Sequence, residues 1–474
     1  MSFFKKSNGI MQGEMLFSNK ALVKLIIPLF IQQVLSVMVG AVDTMMVKDA
    51  GKGAVGGVSL INTLDTLLVI FFTAMVTGGS VVIAQKLGEK NKDDISEAAK
   101  QLLYASTALA LLLTVTVLLL RGPLLALLGG SAAEGSPEML HARDYFFFIS
   151  MSFPFLAISF SCGACFQAAG NSIIPLSVSL GSNVINIVGN ALFIYGLRWG
   201  AGGAAIATLI SRIVNSMIQL WLLHNKKREV YVERLFHYKP NFIMIKKMMQ
   251  IGIPNGIENA MFQFGRLLTQ TLILGLGAGI PDINGVALTI ANFQYMTGTA
   301  CSSAMVPVVG RCIGARQKEQ AKMYSRKILS LNYFVLWAVV LLTVLFVEPL
   351  VGLYGLESGT PEAFTAMNLI VIHSLIASLI WPIGFMLPSA FRAASDVRFP
   401  MVVSMLSMWI LRVIGAYFLA LESISVFGLF EIPGFGWGIY GVWIAMFADW
   451  VVRVGLYIWR YFSDSWLRIK FKDT

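Results

Sequence analysis

The sequence predicts an all-α membrane protein with twelve transmembrane helices in two six-helix lobes, related by a pseudo-twofold axis along the membrane normal. Composition is the first reason. Hydrophobic residues make up 57% of the 474-residue chain and charged residues 13%, and mean hydropathy is +0.73, outside the range of ordinary soluble domains. The second reason is a series of twelve apolar runs, each long enough to cross a bilayer, which takes about 20 residues. The third is an internal repeat: Phe166, Gln167, Ala168, Ala169 with Pro175 returns about 225 residues later as Phe391, Arg392, Ala393, Ala394 with Pro400. Strand-like alternation is absent, and a backbone that crosses lipid without a barrel satisfies its hydrogen bonds only as helix.

Along the chain, residues 1–20 form a short basic segment. The first helix, near 21–47, is too long for a signal-peptide core and has no small-residue cleavage pattern after it, so it is read as retained. Its Pro28 is either a bending point or an ordinary first-turn proline. The second helix (58–85) carries Asp65 between Thr63 and Thr66, and the third spans 99–120. The fourth (145–169) holds Cys162 and Cys165, spaced like a redox or metal pair. Among Ser161, Gly163 and Ala164 at lipid depth, they read instead as small residues at a helix contact. The fifth (173–197) sets Asn186 and Asn190 on one face at i, i+4, with Asn183 nearby. The sixth (201–224) is rich in glycine and alanine and completes an N-lobe at 21–224.

Residues 225–246 form a polar, basic linker, and the C-lobe covers 247–460. Its helices lie near 247–275, 284–310, 328–347, 364–391, 399–420 and 437–460, followed by a tail at 461–474. The repeat supports this division. Ile27, Pro28 recurs as Ile253, Pro254, the segment 83–88 as 309–314, and Gly203, Ile206, Ala207 as Gly441, Ile444, Ala445. Six is even, so both lobes enter from the same face, as parallel repeats do.

Net charge is +11, which in a soluble protein would suggest nucleic acid. Here 27 of the 36 Lys and Arg fall on one side of the predicted membrane and 5 on the other. That asymmetry places both termini in the cytoplasm of a multi-pass plasma-membrane protein, with the lipid bilayer and no nucleic acid as partner. The remaining four, Arg212, Arg266, Arg412 and Arg453, lie within predicted helices. Cys301 and Cys312 show no partner pattern, and His141, His224, His237 and His373 do not cluster. His373 alone lies well inside a predicted helix and reads as a packed, hydrogen-bonded side chain. No glycine-rich loop ends in Gly-Lys-Ser/Thr, so uphill transport would draw on an ion gradient or a partner rather than ATP bound by this chain.

Ionisable residues at lipid depth are costly and mark function first. Asp43 has no basic residue within a turn on its own helix, so it is protonated, binds a cation or faces a wet cavity, unless it simply caps the outer helix end near Lys48. Asp65 is a helix-start acid or a cavity group. Asp449 and Arg453, four apart, read as a mutually neutralising pair. Glu258 and Arg266, eight apart on one face, leave two choices for Glu258: a cavity group, or an internal salt bridge to Arg266 or to a neighbouring helix.

The residues Ile27 and Pro28, Val42, Asp43 and Thr44, GSVVIAQKLG at 79–88, QAAGN at 167–171 and NIVGNALFIYG at 186–196 resemble the MATE (multidrug and toxic compound extrusion) transporters. The resemblance runs from about 20 to 460. It implies a central cleft open to one face at a time, and multidrug efflux of small organic compounds, often cations, in exchange for H⁺ or Na⁺. A monomeric antiporter without catalysis or bound cofactor is expected. Carried over, the cation-coupling set falls on Asp43, Asn186, Asn190 and Thr208, which would also hold Na⁺ if that is the coupling ion. Asn190 stands where some members have a second Asp. A C-lobe ion site used by other members is poorly matched, with Trp381 where an acid is expected. Glu258, Asp65 and Arg266 are candidates for the substrate cavity.

Three rival readings remain: a lipid-linked saccharide or lipid flippase, which would share the duplicated architecture and have a strongly cationic cavity, a membrane-embedded enzyme, and a receptor or scaffold without transport. No nucleophile or metal-ligand constellation supports the enzyme. By the repeat, Asp43 corresponds to Thr269, Asn186 to Leu411, Asn190 to Gly415 and Thr208 to Met446, so the coupling set belongs to the first half alone.

Overall fold

The computed structural model describes residues 15–129, 136–233, 239–426 and 430–467. His237 and parts of the N-terminal, linker and tail segments lie outside them. The first half comprises α1 (Asn19–Lys48), α2 (Ala54–Glu89), α3 (Lys92–Leu119), the short α4 (Arg121–Gly129), α5 (Pro137–Ala168), α6 (Ile173–Asn190) and α7 (Gly200–Leu223). A π-helical stretch, Ala191–Gly196, prolongs α6. The second half repeats the order with α8 (Phe242–Gly275), α9 (Ile280–Gly314), α10 (Lys318–Leu345), the short α11 (Val347–Leu353) and α12 (Pro361–Ala393). There follow α13 (Arg398–Leu406), a π-helical stretch Ser407–Ile414, α14 (Gly415–Ala420) and α15 (Gly438–Phe462).

Apart from α4 and α11, these make twelve long helical rods, six in each lobe. Ten of them are long and apolar enough to cross a membrane on those grounds alone. The other two, α8 and α9, have ample length, at 34 and 35 residues, but too many polar side chains. That exception is informative, because polar residues at lipid depth face a cavity or another helix.

Many rods extend beyond the apolar runs, since a helix satisfies its own backbone in water as well as in lipid. Helix α3 begins at Lys92 rather than near 99 because Asn91 caps it, its side chain accepting from the Asp93 and Asp94 backbone N–H groups. Pro28 lies well inside α1, which starts at Asn19 with Ser18 as its cap, so the first-turn reading of that proline is overturned. A second departure is a small antiparallel hairpin between α14 and α15, in which β1 (Ser423–Val426) pairs with β2 (Phe430–Pro433). Its strands, four residues each, are too short to show an alternation in the sequence.

The lobes close on each other at one end of the cleft. There α2 lies against α8 and α9 with glycine at the contacts. A methyl at Gly252 would come within 2.6 Å of the Ala74 carbonyl oxygen, and Gly88 and Gly314 face each other's helix. These two correspond across the repeat, so their meeting lies on the pseudo-twofold axis. Gln85 Nε2 seals the same end, donating to the Ala393 carbonyl at 2.8 Å and to Ser395 Oγ at 3.0 Å.

Helix α1 belongs to both lobes. Phe17, Leu22, Leu25, Ile26 and Leu29 pack into the second-half core. Just before it, Phe17 N–H donates to Tyr324 Oη at 2.9 Å, and Tyr324 donates back to the Phe17 carbonyl at 2.7 Å. Beyond Leu29 the same helix leaves that core and runs to Asp43, against α6 and α7.

Candidate functional site

Two polar centres lie along the cleft. The first is in the N-lobe, where α6 and α7 approach closely because Gly189 faces Ala207; a methyl at Gly189 would come within 2.9 Å of the Ala207 side chain. Asn190 Nδ2 donates to Asp43 Oδ1 at 2.7 Å, and Asn186 Nδ2 donates to Thr208 Oγ1 at 3.1 Å. Thr208 Oγ1 in turn donates to the Ala204 carbonyl at 3.0 Å. All four residues of the expected coupling set are thus brought together as two hydrogen-bonded pairs. Both asparagines are buried, and the side-chain oxygens Asn186 Oδ1 and Asn190 Oδ1 have no partner. A buried, unsatisfied carbonyl oxygen is uncommon and calls for an explanation. A carboxylate, two free amide oxygens and a hydroxyl form a donor set suited to a small hard cation. The carboxylate alone can exchange a proton.

Asp65, a cavity candidate, is engaged instead by Arg212, with Nη2 to Oδ2 at 3.6 Å, while Arg212 Nη1 donates to Ser152 Oγ at 2.7 Å. Glu258 is held by Arg392, Nη1 to Oε2 at 3.2 Å, and by Ser404 Oγ, which donates to Oε1 at 2.8 Å. Its partner is therefore not Arg266. Arg392 comes from the repeat motif at the end of α12 and also lines a small polar pocket of about 260 Å³ with Thr77, Asn255 and Ser302. Asp449 and Arg453 pair as their spacing predicts, Nε to Oδ1 at 2.6 Å, and both are buried.

The second centre is a chamber of about 660 Å³ between the lobes, toward the start of α2. Gln33 and Val37 of α1 and Thr63 and Thr66 of α2 contribute from the first half; the rest comes mainly from α8, α9, α12, α15 and the π-helical stretch after α13. This accounts for the polarity of α8 and α9. Along α9, Asn284, Leu288, Asn292, Tyr295 and Thr299 fall on one face, a helical spacing present in the sequence but not read there. Trp381, where an acid was expected, stacks on Tyr295 at 4.6 Å and on Phe385 at 5.2 Å between ring centroids. His373 is buried behind this wall, hydrogen-bonded to the Tyr295 hydroxyl, and has the packing role expected of it. Arg266 lines the chamber, together with Arg412, and no carboxylate does so among the described residues. The expectation of organic cations therefore finds no anionic group on this wall.

All four cysteines are buried and free, and no cluster of three or more His, Cys, Asp or Glu is placed to hold a metal among the described residues.

The MatE family model matches residues 28–192 and again 254–418, once in each half. The chain belongs to the MatE family. MatE proteins are multi-pass membrane transporters rather than enzymes, and the two-lobe, twelve-helix layout is the one typical of them. The chain is similar to an uncharacterized transporter, YisQ, of Bacillus subtilis, at 26% identity covering 93% of each chain. It is similar to a probable multidrug resistance protein, NorM, of Thermotoga maritima, at 27% identity covering 94% of this chain and 93% of the other. Among solved structures, a MATE protein in a bent conformation superposes with a TM-score of 0.84 at 20% identity, covering 95% of this chain and 96% of that one.

Proposed function

We propose that this MatE transporter is a secondary active exporter of small organic compounds, working as a monomer in the plasma membrane by alternating access and driven by H⁺ or Na⁺ taken up at Asp43. The observation that carries the reading is the environment of Asp43: a half-buried carboxylate bonded to Asn190 beside two partnerless amide oxygens. An ion arriving there would satisfy oxygens that otherwise have nothing to bind.

Helix α1 supplies the link between ion and substrate. It carries Asp43 near one end, Gln33 and Val37 on the chamber wall in the middle, and a hydrophobic anchor in the C-lobe before Pro28. Proline removes one intrahelical hydrogen bond and makes that position the natural place to bend. Ion uptake that draws Asp43 toward Asn186 and Asn190 would shift Gln33 and Val37 against the chamber and weaken substrate binding. Thermodynamic linkage requires the converse, that bound substrate weakens ion binding.

The positive-inside asymmetry puts the closed, glycine-lined end of the cleft on the cytoplasmic side. The chamber then opens outward, the state in which an exporter releases substrate and collects its coupling ion. A second reading, flipping of lipid-linked saccharides, draws support from Arg266 and Arg412 on the chamber wall.

The test is transport by purified protein in liposomes, with a pH gradient and a Na⁺ gradient imposed separately. Ethidium and carboxyfluorescein serve as cationic and anionic reporters. Accumulation of a reporter under at least one gradient is expected. If neither gradient moves either reporter, the exporter reading fails.

A further inference from the structure

The membrane interior of this chain has more cationic than anionic side chains, and the structure shows where the surplus lies. Its four acids are accounted for: Asp43 by Asn190, Asp65 by Arg212, Glu258 by Arg392 and Asp449 by Arg453. Among the described residues, no ion pair goes to Arg266 or Arg412, and these two line the chamber.

The neutral polar groups of the chamber show the same bias. Three wall residues carry buried nitrogen donors with no partner: Arg412 Nε, Asn284 Nδ2 and Trp450 Nε1. All are N–H groups, whereas the partnerless carboxylate oxygen nearby, Asp449 Oδ2, belongs to the buried pair with Arg453 and does not line the chamber. Arg412 lies over the Phe262 ring at 5.5 Å, a contact that helps hold an unpaired guanidinium at this depth. It lies in the π-helical stretch Ser407–Ile414, and such irregular helix often marks function.

We infer that the chamber selects small aromatic organic anions, their carboxylate or sulfonate held by Arg266 and Arg412 and their ring laid along the wall of Tyr295, Trp381 and Phe385. An anion adds acceptors where donors lack them, and guanidinium binds planar carboxylates in a two-pronged geometry. A cation would instead meet two like charges in a low-dielectric space. The volume of about 660 Å³ is that of a drug-sized ligand site. The inference rests on the exporter reading for the direction of transport, but binding requires no gradient.

The experiment measures quenching of tryptophan fluorescence in detergent-purified protein, since Trp381, Trp443 and Trp450 line the chamber. The probes are three matched naphthalene derivatives: 1-naphthoate, 1-naphthylmethylammonium and 1-naphthalenemethanol. Wild type is expected to bind the carboxylate at least about tenfold more tightly than either of the others, the scale of one charge-assisted bond. Arg266→Gln, at an exposed position that puts folding at little risk, is expected to lose most of that preference, and Arg266→Gln with Arg412→Gln all of it. Equal or tighter binding of the ammonium, or an unchanged preference in both variants, would overturn the inference. Farnesyl pyrophosphate is a further arm. Binding about tenfold tighter than naphthoate would make the chamber a lipid-headgroup site and overturn the small-aromatic assignment; weaker binding supports it. Naphthoate selectivity without gradient-driven transport would refute the exporter and leave the chamber assignment standing, whereas transport without selectivity would do the reverse.

Discussion

Asp449 and Arg453 form the ion pair with the lowest exposure among those described, at 0% and 3%, and the consequence of breaking it can be worked out from their contacts. Arg453 Nε reaches both Asp449 Oδ1 at 2.6 Å and Ser407 Oγ at 2.9 Å, while Nη2 donates to the Ser404 carbonyl at 3.1 Å. Its guanidinium also lies 5.8 and 5.6 Å from the Phe262 and Phe385 ring centroids, the back of the chamber wall. Replacing Asp449 by Asn keeps the shape and leaves a positive charge with no counter-charge in a low-dielectric interior. Losing one partner of such a pair costs about 3–5 kcal/mol. At roughly 2–4 °C per kcal/mol for a unit the size of one lobe, the thermal midpoint in detergent should fall by about 6–20 °C. Arg453→Met should cost about as much, because it strands the carboxylate. The double variant Asp449→Leu, Arg453→Met removes both charges and fills similar volume, so it should recover most of the loss. Scanning fluorimetry on all four proteins completes the cycle. An unaltered midpoint in Asp449→Asn, or a double variant as unstable as the two singles summed, would refute the reasoning.

Two further outcomes follow from the geometry. Asn190→Ala removes one of the two partnerless amide oxygens that would ligate Na⁺ beside Asp43, an interaction with a charged group of about 1.5–3 kcal/mol. The Na⁺ concentration for half-maximal transport should therefore rise roughly 10- to 150-fold, and an unshifted Na⁺ half-saturation would count against Na⁺ at this position. Gly314→Val places a side chain against the Gln85 backbone and should prop open the closed end of the cleft. A cysteine introduced at Ser303, which lines the small polar pocket, should then react faster with maleimide added from the linker side, and unchanged labelling would show that the glycine contact does not govern closure.

How much could be read from the residues depends on whether the partners are local. Asp449 and Arg453 are neighbours on one helix turn, so their pairing was visible as a spacing. Glu258 and Arg392 are 134 positions apart, and no periodicity links them; Arg266, the local alternative, points into the chamber instead. The apolar centres of the rods were legible because lipid excludes polar side chains from them. Their ends were not, because a helix entering water obeys caps such as Asn91 rather than hydrophobicity. Helices α8 and α9 were found as spans, but the polar stripe from Asn284 to Thr299 acquires its meaning only when the facing lobe encloses it. The set Asp43, Asn186, Asn190 and Thr208 was reached through family resemblance. Asn186 and Asn190 share a face by spacing alone, but nothing local links them to Asp43, which lies 147 positions from Asn190.

The central claim is that Asp43 couples an ion gradient to export, and Asp43→Asn tests it most directly. The amide fills the same space and can still bond to Asn190, but it carries no charge and exchanges no proton. Wild type and variant in liposomes are compared for gradient-driven accumulation and for exchange of labelled against unlabelled substrate with no gradient. The account predicts that the variant inserts normally and exchanges substrate, while accumulation disappears under both the pH and the Na⁺ gradient. Accumulation at the wild-type rate under either gradient would contradict it.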